Sequence, residues 1–457
     1  MTGAFFIADI ASELALFAAA GFLLFALDDL LVDLIYFVRR LWRAATVYSR
    51  YPRAFAATLD APERPGRIAV FVPAWDEGPV VGAMVRTAFA RWGEGDYRIF
   101  VGTYPNDPAT AAALADVADA RLTQVTMPVD GPTTKADCLN HLYAALVAEE
   151  RRGGWTAKAV VLHDAEDLVH PLEIRLFNRM VERAALVQLP VIPLPTRGSR
   201  WISGHYCDEF AESHGKEMVV REAIGASIPL AGVGCAIARD ALAELADKGA
   251  GRPFAGDCLT EDYELGLRLG ELDRPAMFIR IPAQAGSRAV VASRGHFPET
   301  LEAAVRQKAR WIGGIAISGW DRLGWRGGLG ERWMRMRDRR GPLAALLLVA
   351  GYGAAFLWLQ LAIAGALGAP VDFGISPALA TLLKINLALL AWRLLIRFGF
   401  VTACYGLGEG LRAIPRTIVG NLIAILAVRR AIAEALRGGP RQWDKTRHVF
   451  PLAEAAR

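Results

Sequence analysis

Ala159-Val160-Val161-Leu162-His163-Asp164-Ala165-Glu166-Asp167 decides how this chain folds. A short β-branched run gives way at once to a histidine and three acids. Such a run suits a strand buried on both faces, and open α/β sheets gather their ligands beyond the carboxyl ends of their strands. Two earlier runs have the same form: residues 68–72, followed by Pro73, Asp76 and Glu77, and residues 97–102, followed by Asp107. Helical patterns lie between them at 80–92, 109–118 and 136–151. The alternation predicts an α/β domain with a mainly parallel, doubly wound, Rossmann-like sheet.

Composition places part of the chain in a membrane. Of its 457 residues, 53% are hydrophobic, high for a soluble protein. The five cysteines (Cys138, Cys207, Cys235, Cys258 and Cys404) form no CxxC pair, so neither a zinc site nor a disulfide framework is indicated, which suits a reducing compartment. The net charge of +5 comes with clustered Lys and Arg, read as a basic skirt at a membrane surface. No nucleic-acid module or basic groove is recognisable, so nucleic acid is not an expected partner.

Residues 14–38 are long enough to cross a bilayer, which takes roughly 20 helical residues. Arg39, Arg40 and Arg43 follow at once, which puts the N-terminus outside by the positive-inside rule. A second span, 341–370, follows Arg332, Arg335, Arg337, Arg339 and Arg340; a third, 378–400, carries Lys384, Arg393 and Arg397. The run 418–428 is too short to cross and reads as an amphipathic helix on the inner surface. Asp29 and Asp33 share a helix face and need partners, Lys384 and Arg393 being candidates. These charges either hold the helices together or line a polymer path. The expected organisation is a transmembrane helix and basic stop (1–50), a cytosolic domain (51–321), a basic connector (322–340), two transmembrane helices (341–408) and an interfacial C-terminal segment (409–457).

Three motifs carry chemistry. Asp164 and Glu166, a D-x-E pair on a strand-end loop, suit Mg²⁺ or Mn²⁺ bridged to a diphosphate, while Asp167 suits a helix cap. Thr260-Glu261-Asp262 reads either as an N-cap with acids in the first turn or as a catalytic base, Asp262, beside an acceptor hydroxyl. Gln307-x-x-Arg310-Trp311 offers a flat ring for a sugar and a guanidinium fork for phosphate, and equally suits an interfacial belt helix. Gly232-Val233-Gly234 permits close backbone approach to a ligand or a plain tight turn.

Their order, with Val72–Glu77, Gly102–Asp107, Lys135–Asn140 and Trp443-Asp444-Lys445-Thr446-Arg447, resembles the membrane-bound family 2 glycosyltransferases. That group includes cellulose, chitin and hyaluronan synthases, and within it the chain is most similar to inner-membrane transferases of the bacteriophage adsorption protein B type. The resemblance implies a cytosolic nucleotide-diphospho-sugar transferase (GT-A) domain. It assigns Glu77, Asp107, Lys135, Asp164 and Glu166 to the donor, with Mg²⁺ or Mn²⁺ on Asp164 and Glu166. It assigns Asp262, with Glu261, to catalysis, and Gln307, Arg310 and Trp311 to acceptor and diphosphate. Trp443, Lys445, Thr446 and Arg447 would gate the site. The sequence departs from the family where Gly102-Thr103-Tyr104 replaces paired acids and Asp76 stands where Asn is common. No cyclic-di-GMP-linked extension follows Pro451, so such control would need a partner.

The expected activity is metal-dependent, inverting hexosyl transfer at the bacterial inner membrane, from a UDP-hexose or UDP-N-acetylhexosamine. The product would be an exopolysaccharide passed through the protein's own helices. Expected partners are the nucleotide-sugar donor, a polysaccharide or lipid-linked acceptor, membrane lipids, and an outer-membrane or periplasmic export protein. Two alternatives stand beside it: single-sugar transfer to a polyprenyl phosphate, and a non-catalytic scaffold for phage adsorption.

Overall fold

Every residue of Ile68–Pro73 (β1) is buried, because helices cover both faces of the sheet it centres. Ile68, Val70 and Val72 meet the helix Val81–Trp92 on one side; Ala69 and Phe71 meet the helix Lys135–Gly153 on the other. This two-sided burial explains an unbroken apolar run where a half-exposed strand would alternate. The computed structural model describes residues 2–256, 258–438 and 448–452.

The remaining strands are Tyr97–Thr103 (β2), Leu122–Thr126 (β3), Ala159–Leu162 (β4), Leu186–Gln188 (β5), Val191–Pro193 (β6), Cys235–Ala238 (β7), Ala276–Phe278 (β8) and Ser293–Gly295 (β9). Seven form one sheet in the order β3-β2-β1-β4-β7-β5-β8, and β6 pairs with β9. All neighbours in the large sheet run parallel except β7, which is antiparallel to both β4 and β5. The sheet is thus mainly parallel, with one reversed strand. That reversal positions the site. Leu162, the last residue of β4, pairs with Cys235, the first of β7, so the glycine loop before Cys235 lands beside His163–Asp167.

Four helices are long and apolar enough to cross a membrane: Thr2–Thr46, Gly341–Ala366, Pro377–Tyr405 and Leu407–Arg437. In the first, buried Ala8, Ala11, Ala15, Ala18 and Ala19 give a small-residue face, and Gly21 sits against Leu347 of the second. Such faces let apolar helices approach closely. Asp28, Asp29 and Asp33 of the first helix are all paired. Asp28 and Asp29 bind Arg337 and Arg340, Asp29 also binds Arg393, and Asp33 binds Lys216 at 2.5 Å and Trp392 at 2.9 Å. Arg393 is therefore one of the partners, while Lys384 takes no part among the described residues.

The apolar stretch 418–428 is the middle of a longer helix, Leu407–Arg437. Arg416, which bounds the stretch in sequence, is fully buried and ion-paired to Asp208 and Glu409, both at 2.6 Å. The helix buries Ala413 against Ala211, Ile423 against Tyr206 and Ala304, and Ala427 and Ala431 against Ala309. Its inner face is thus seated on the helices Ile202–Glu212 and Leu301–Ile312.

Candidate active site

A cavity of about 640 Å³ opens at the carboxyl end of β4. Its wall includes Lys135, Asp164, Glu166, Glu261, Asp262, Gln307, Arg310 and Trp311. Four segments far apart in sequence therefore meet there, and each arrives for a physical reason.

The β4 loop is held from below. His163 is fully buried, its two ring nitrogens 2.8 Å from Asp167 and 2.7 Å from Glu173. Burial alone would favour neutral imidazole, but the two carboxylates overcome it and raise His163 to about 10. Asp167 also accepts the Asp164 backbone N–H at 3.0 Å. Asp167 thus braces the loop, leaving Asp164 and Glu166 to face the cavity.

Lys135 opens the helix Lys135–Gly153, capped by Thr134. Its ammonium lies 2.5 Å from Asp164 and 4.0 Å from Glu261. Burial would lower its pKa; Asp164, Glu261 and Asp262 together hold it above the usual lysine range. From the same helix, Asn140 exchanges two hydrogen bonds with the backbone of Phe254, fixing the loop that leads to Thr260.

Thr260-Glu261-Asp262 opens the helix Glu261–Gly270, and Thr260 makes no side-chain cap. Its side chain packs on Gly314 instead, where an added Cβ would lie 2.4 Å from Oγ1. Asp262 presses on Gly232: an added Cβ there would sit 2.6 Å from Oδ2, and Gly232 has φ +76°, a conformation glycine adopts without strain. Burial pushes the Asp262 pKa up, and Lys135 and Arg310 oppose it. Burial and the Asp262 charge likewise raise Glu261 to about 7.

The helix Leu301–Ile312 brings Gln307, Arg310 and Trp311 across the opening and continues as a π-helical stretch, Gly313–Ser318, that carries Gly314 onto Thr260. Trp311 stands 6.1 Å from Tyr206 and 6.4 Å from Phe210, in an aromatic wall with Phe297. The Gln307 side-chain oxygen is buried without a hydrogen-bond partner among the described residues.

Two donor assignments meet a different environment. Asp107 caps the helix Pro108–Ala115 through Thr110, and its other oxygen accepts the Asp76 N–H at 2.6 Å. Both carboxylate oxygens serve the fold, and Asp107 does not line the cavity. Glu77 is buried at the cavity's edge, its Oε1 2.7 Å from His448. Trp443, Lys445, Thr446 and Arg447 lie outside the described residues. The sequence reading missed His448, one residue beyond that segment, and the turn His296–Pro298 before the helix cap Thr300. The Thr300-x-x-Ala303 cap marks that helix start, but nothing in sequence alone ties the turn to the acids.

Residues 65–314 match the family profile Glycosyltransferase like family 2. Two curated relatives are each 39% identical over 460 residues: Bacteriophage adsorption protein B of Escherichia coli strain K12 and Bacteriophage N4 adsorption protein B of Escherichia coli O157:H7. The match covers 93% of this chain and 60% of theirs, so the chain spans about three fifths of the length of these relatives. The structure of a mannosyltransferase from Pyrobaculum calidifontis in complex with GDP-Man and Mn²⁺ aligns with TM-score 0.49 and 17% identity, over 91% of this chain and 99% of that one.

Proposed function

We propose a reaction and a setting for a chain that belongs to glycosyltransferase family 2, a membrane-associated transferase with a GT-A domain. The reaction is inverting transfer of a hexose or N-acetylhexosamine from a nucleoside diphosphate donor. The carrying observation is the convergence of Asp164, Glu166, Asp262 and Arg310 on one cavity.

Asp262 is the base. An acceptor hydroxyl attacks the anomeric carbon, its proton passes to the Asp262 carboxylate, and the bond from that carbon to the diphosphate oxygen breaks. Burial raises the basicity of Asp262, which suits proton removal at neutral pH. Arg310 and Lys135 supply positive charge where the diphosphate gains negative charge. Asp164 and Glu166 would hold Mg²⁺ or Mn²⁺, and the fit is supported by Glu166 Oε2, a buried oxygen without a hydrogen bond. A bound divalent cation neutralises leaving-group charge. Trp311 and its aromatic neighbours offer an apolar face to the acceptor sugar.

The setting is the bacterial inner membrane, with the catalytic domain and C-terminus cytoplasmic. Three helices cross and Leu407–Arg437 lies in the inner surface. The product is an extended polysaccharide, handed to an export partner.

Substitution Asp262→Asn is expected to lower transfer about 10²–10⁴-fold, the usual share of a general base. Donor binding, read by calorimetry in detergent, should stay within a few-fold. Turnover close to wild type would remove Asp262 from the mechanism. A screen of UDP- and GDP-sugars with mass analysis of product identifies the sugar, and product length separates a polymer from one sugar on a lipid.

A further inference from the structure

We infer that the helix Thr2–Thr46 pairs, parallel and in register, with the same helix of a second copy of this chain.

A narrow seam carries the inference. Between residues 18 and 39 of this helix the exposed residues are Ala20, Leu24, Leu27, Leu31, Leu34 and Val38; Phe17 precedes them and Leu41 extends them. The steps along this line alternate between three and four residues throughout. A helix side turned broadly to solvent or lipid shows a wide stripe, whereas strict alternation of three and four keeps to the line where two helices interlock. Leu27, Leu34 and Leu41 form one row of the seam; Leu24, Leu31 and the β-branched Val38 form the other. Leucine in the first row and a β-branched residue in the second suit a two-stranded parallel pair.

Lipid accounts for only part of the line. Ser12 donates to the Phe373 and Gly374 carbonyls at 3.2 and 3.0 Å, in the turn between the second and third long helices. A span of roughly 20 residues from that level ends near Val32. Val32 and Tyr36 are already buried against Val220 and Ala226 of the catalytic domain. Leu34, Val38 and Leu41 are 58%, 56% and 69% exposed, so the apolar line continues beyond the hydrocarbon. Apolar surface of that kind marks an interaction site.

A second copy fits it. The copy carries the same seam at the same depth and in the same direction, so each seam residue meets its own counterpart. Arg39, Arg40 and Arg43 fall at the positions farthest from the seam, so like charges are not set face to face. The line from Phe17 to Leu41, with exposed Trp42 beside it, would bury about 600 Å² per copy and about 1,200 Å² in all, the size at which specific interfaces become stable.

The test is disulfide formation in membranes that hold the full chain. Cys404 is changed to Ser; the other four cysteines are buried. A single cysteine is placed at Leu34, Val38 or Leu41 on the seam, or at Arg40 off it, all exposed positions. Oxidation by copper phenanthroline is expected to join Leu34→Cys, Val38→Cys and Leu41→Cys into covalent dimers of twice the chain's 49.6 kDa. Facing seam residues approach the Cα separation of about 4.4–6.8 Å that a disulfide needs. Arg40→Cys should give at least tenfold less dimer. Leu41→Glu added to Val38→Cys sets two carboxylates against each other and should cut the yield at least tenfold. Equal yields on and off the seam mean random collision. An adduct of another mass assigns the line to a different protein, and no adduct at any of the three seam positions leaves it to lipid. Each of these results overturns the inference, as does a yield indifferent to Leu41→Glu.

Discussion

At the scale of single residues, the site depends on contacts too close for a side chain. Gly232 is the clearest case, since a methyl group there meets both a left-handed φ of +76° and the Asp262 carboxylate 2.6 Å away. Gly232→Ala is expected to cost about 1–2 kcal/mol in backbone strain and to displace Asp262. The expected kinetic result is a kcat at least tenfold lower with donor KM little changed, because Asp164 and Glu166 are braced separately by His163 and Asp167. An unchanged kcat would show that the position of Asp262 does not matter. At the same scale, the convergence of Asp164, Glu166 and Asp262 on one cavity was legible, because acids directly after an apolar strand or at the head of a helix gather at the strand ends of an open sheet. Asp107 was assigned to the donor although Asp107-Pro108 is itself a helix-start signal, an N-cap followed by proline, and the cap is where both its oxygens are spent. His448 carries no local pattern; only the return of Phe450 to the core brings it to Glu77.

Elements long enough to show their period are the ones read correctly. The strands β1, β2 and β4 and the three helices among them fall within a few residues of expectation. Strands β5, β6, β8 and β9 have three residues each, too few for a pattern, and the reversal of β7 follows from pairing rather than from its own sequence. The last helix was shortened for a different reason: only its apolar run 418–428 was counted, although Arg416 just before it is an interior residue with a buried partner. Arg416 forks onto Asp208 at 2.6 and 2.8 Å, and Gly204 makes room, since a Cβ there would lie 2.3 Å from the guanidinium. Removing one partner of such a pair leaves a buried charge and costs about 3–5 kcal/mol, whereas replacing both with apolar groups is often neutral. Asp208→Leu leaves Arg416 with Glu409 alone and is expected to lower the thermal midpoint in detergent by several degrees, and Arg416→Met added to it should restore part of the loss, Glu409 keeping Arg412. A double variant as unstable as the sum of the singles would mean that Asp208 and Arg416 are not coupled.

For the whole molecule, the question is how the catalytic domain sits on the bilayer. The helix Leu407–Arg437 has 31 residues, about 46 Å at 1.5 Å per residue, so length alone permits a span. Its packing argues otherwise. One face is committed along its length to Ile202–Glu212 and Leu301–Ile312, the second of which carries Gln307 and Arg310 into the cavity. A helix crossing the hydrocarbon would pull those helices, with the Arg416–Asp208 ion pair, into the bilayer, where ionised side chains are expensive. Lying in the surface, the same helix turns exposed Leu411, Ile418 and Leu422 toward lipid and keeps Leu301–Ile312 at the membrane plane. Cysteines placed at Gly408 and Arg437, both exposed at the ends of the helix and off the face turned to lipid, distinguish the two arrangements in a Cys404→Ser background. With an impermeant maleimide, both are expected to label in inverted vesicles and neither in intact spheroplasts. Labelling from opposite sides would make the helix a fourth span, give the chain an even number of crossings, and place its two ends on the same side of the membrane.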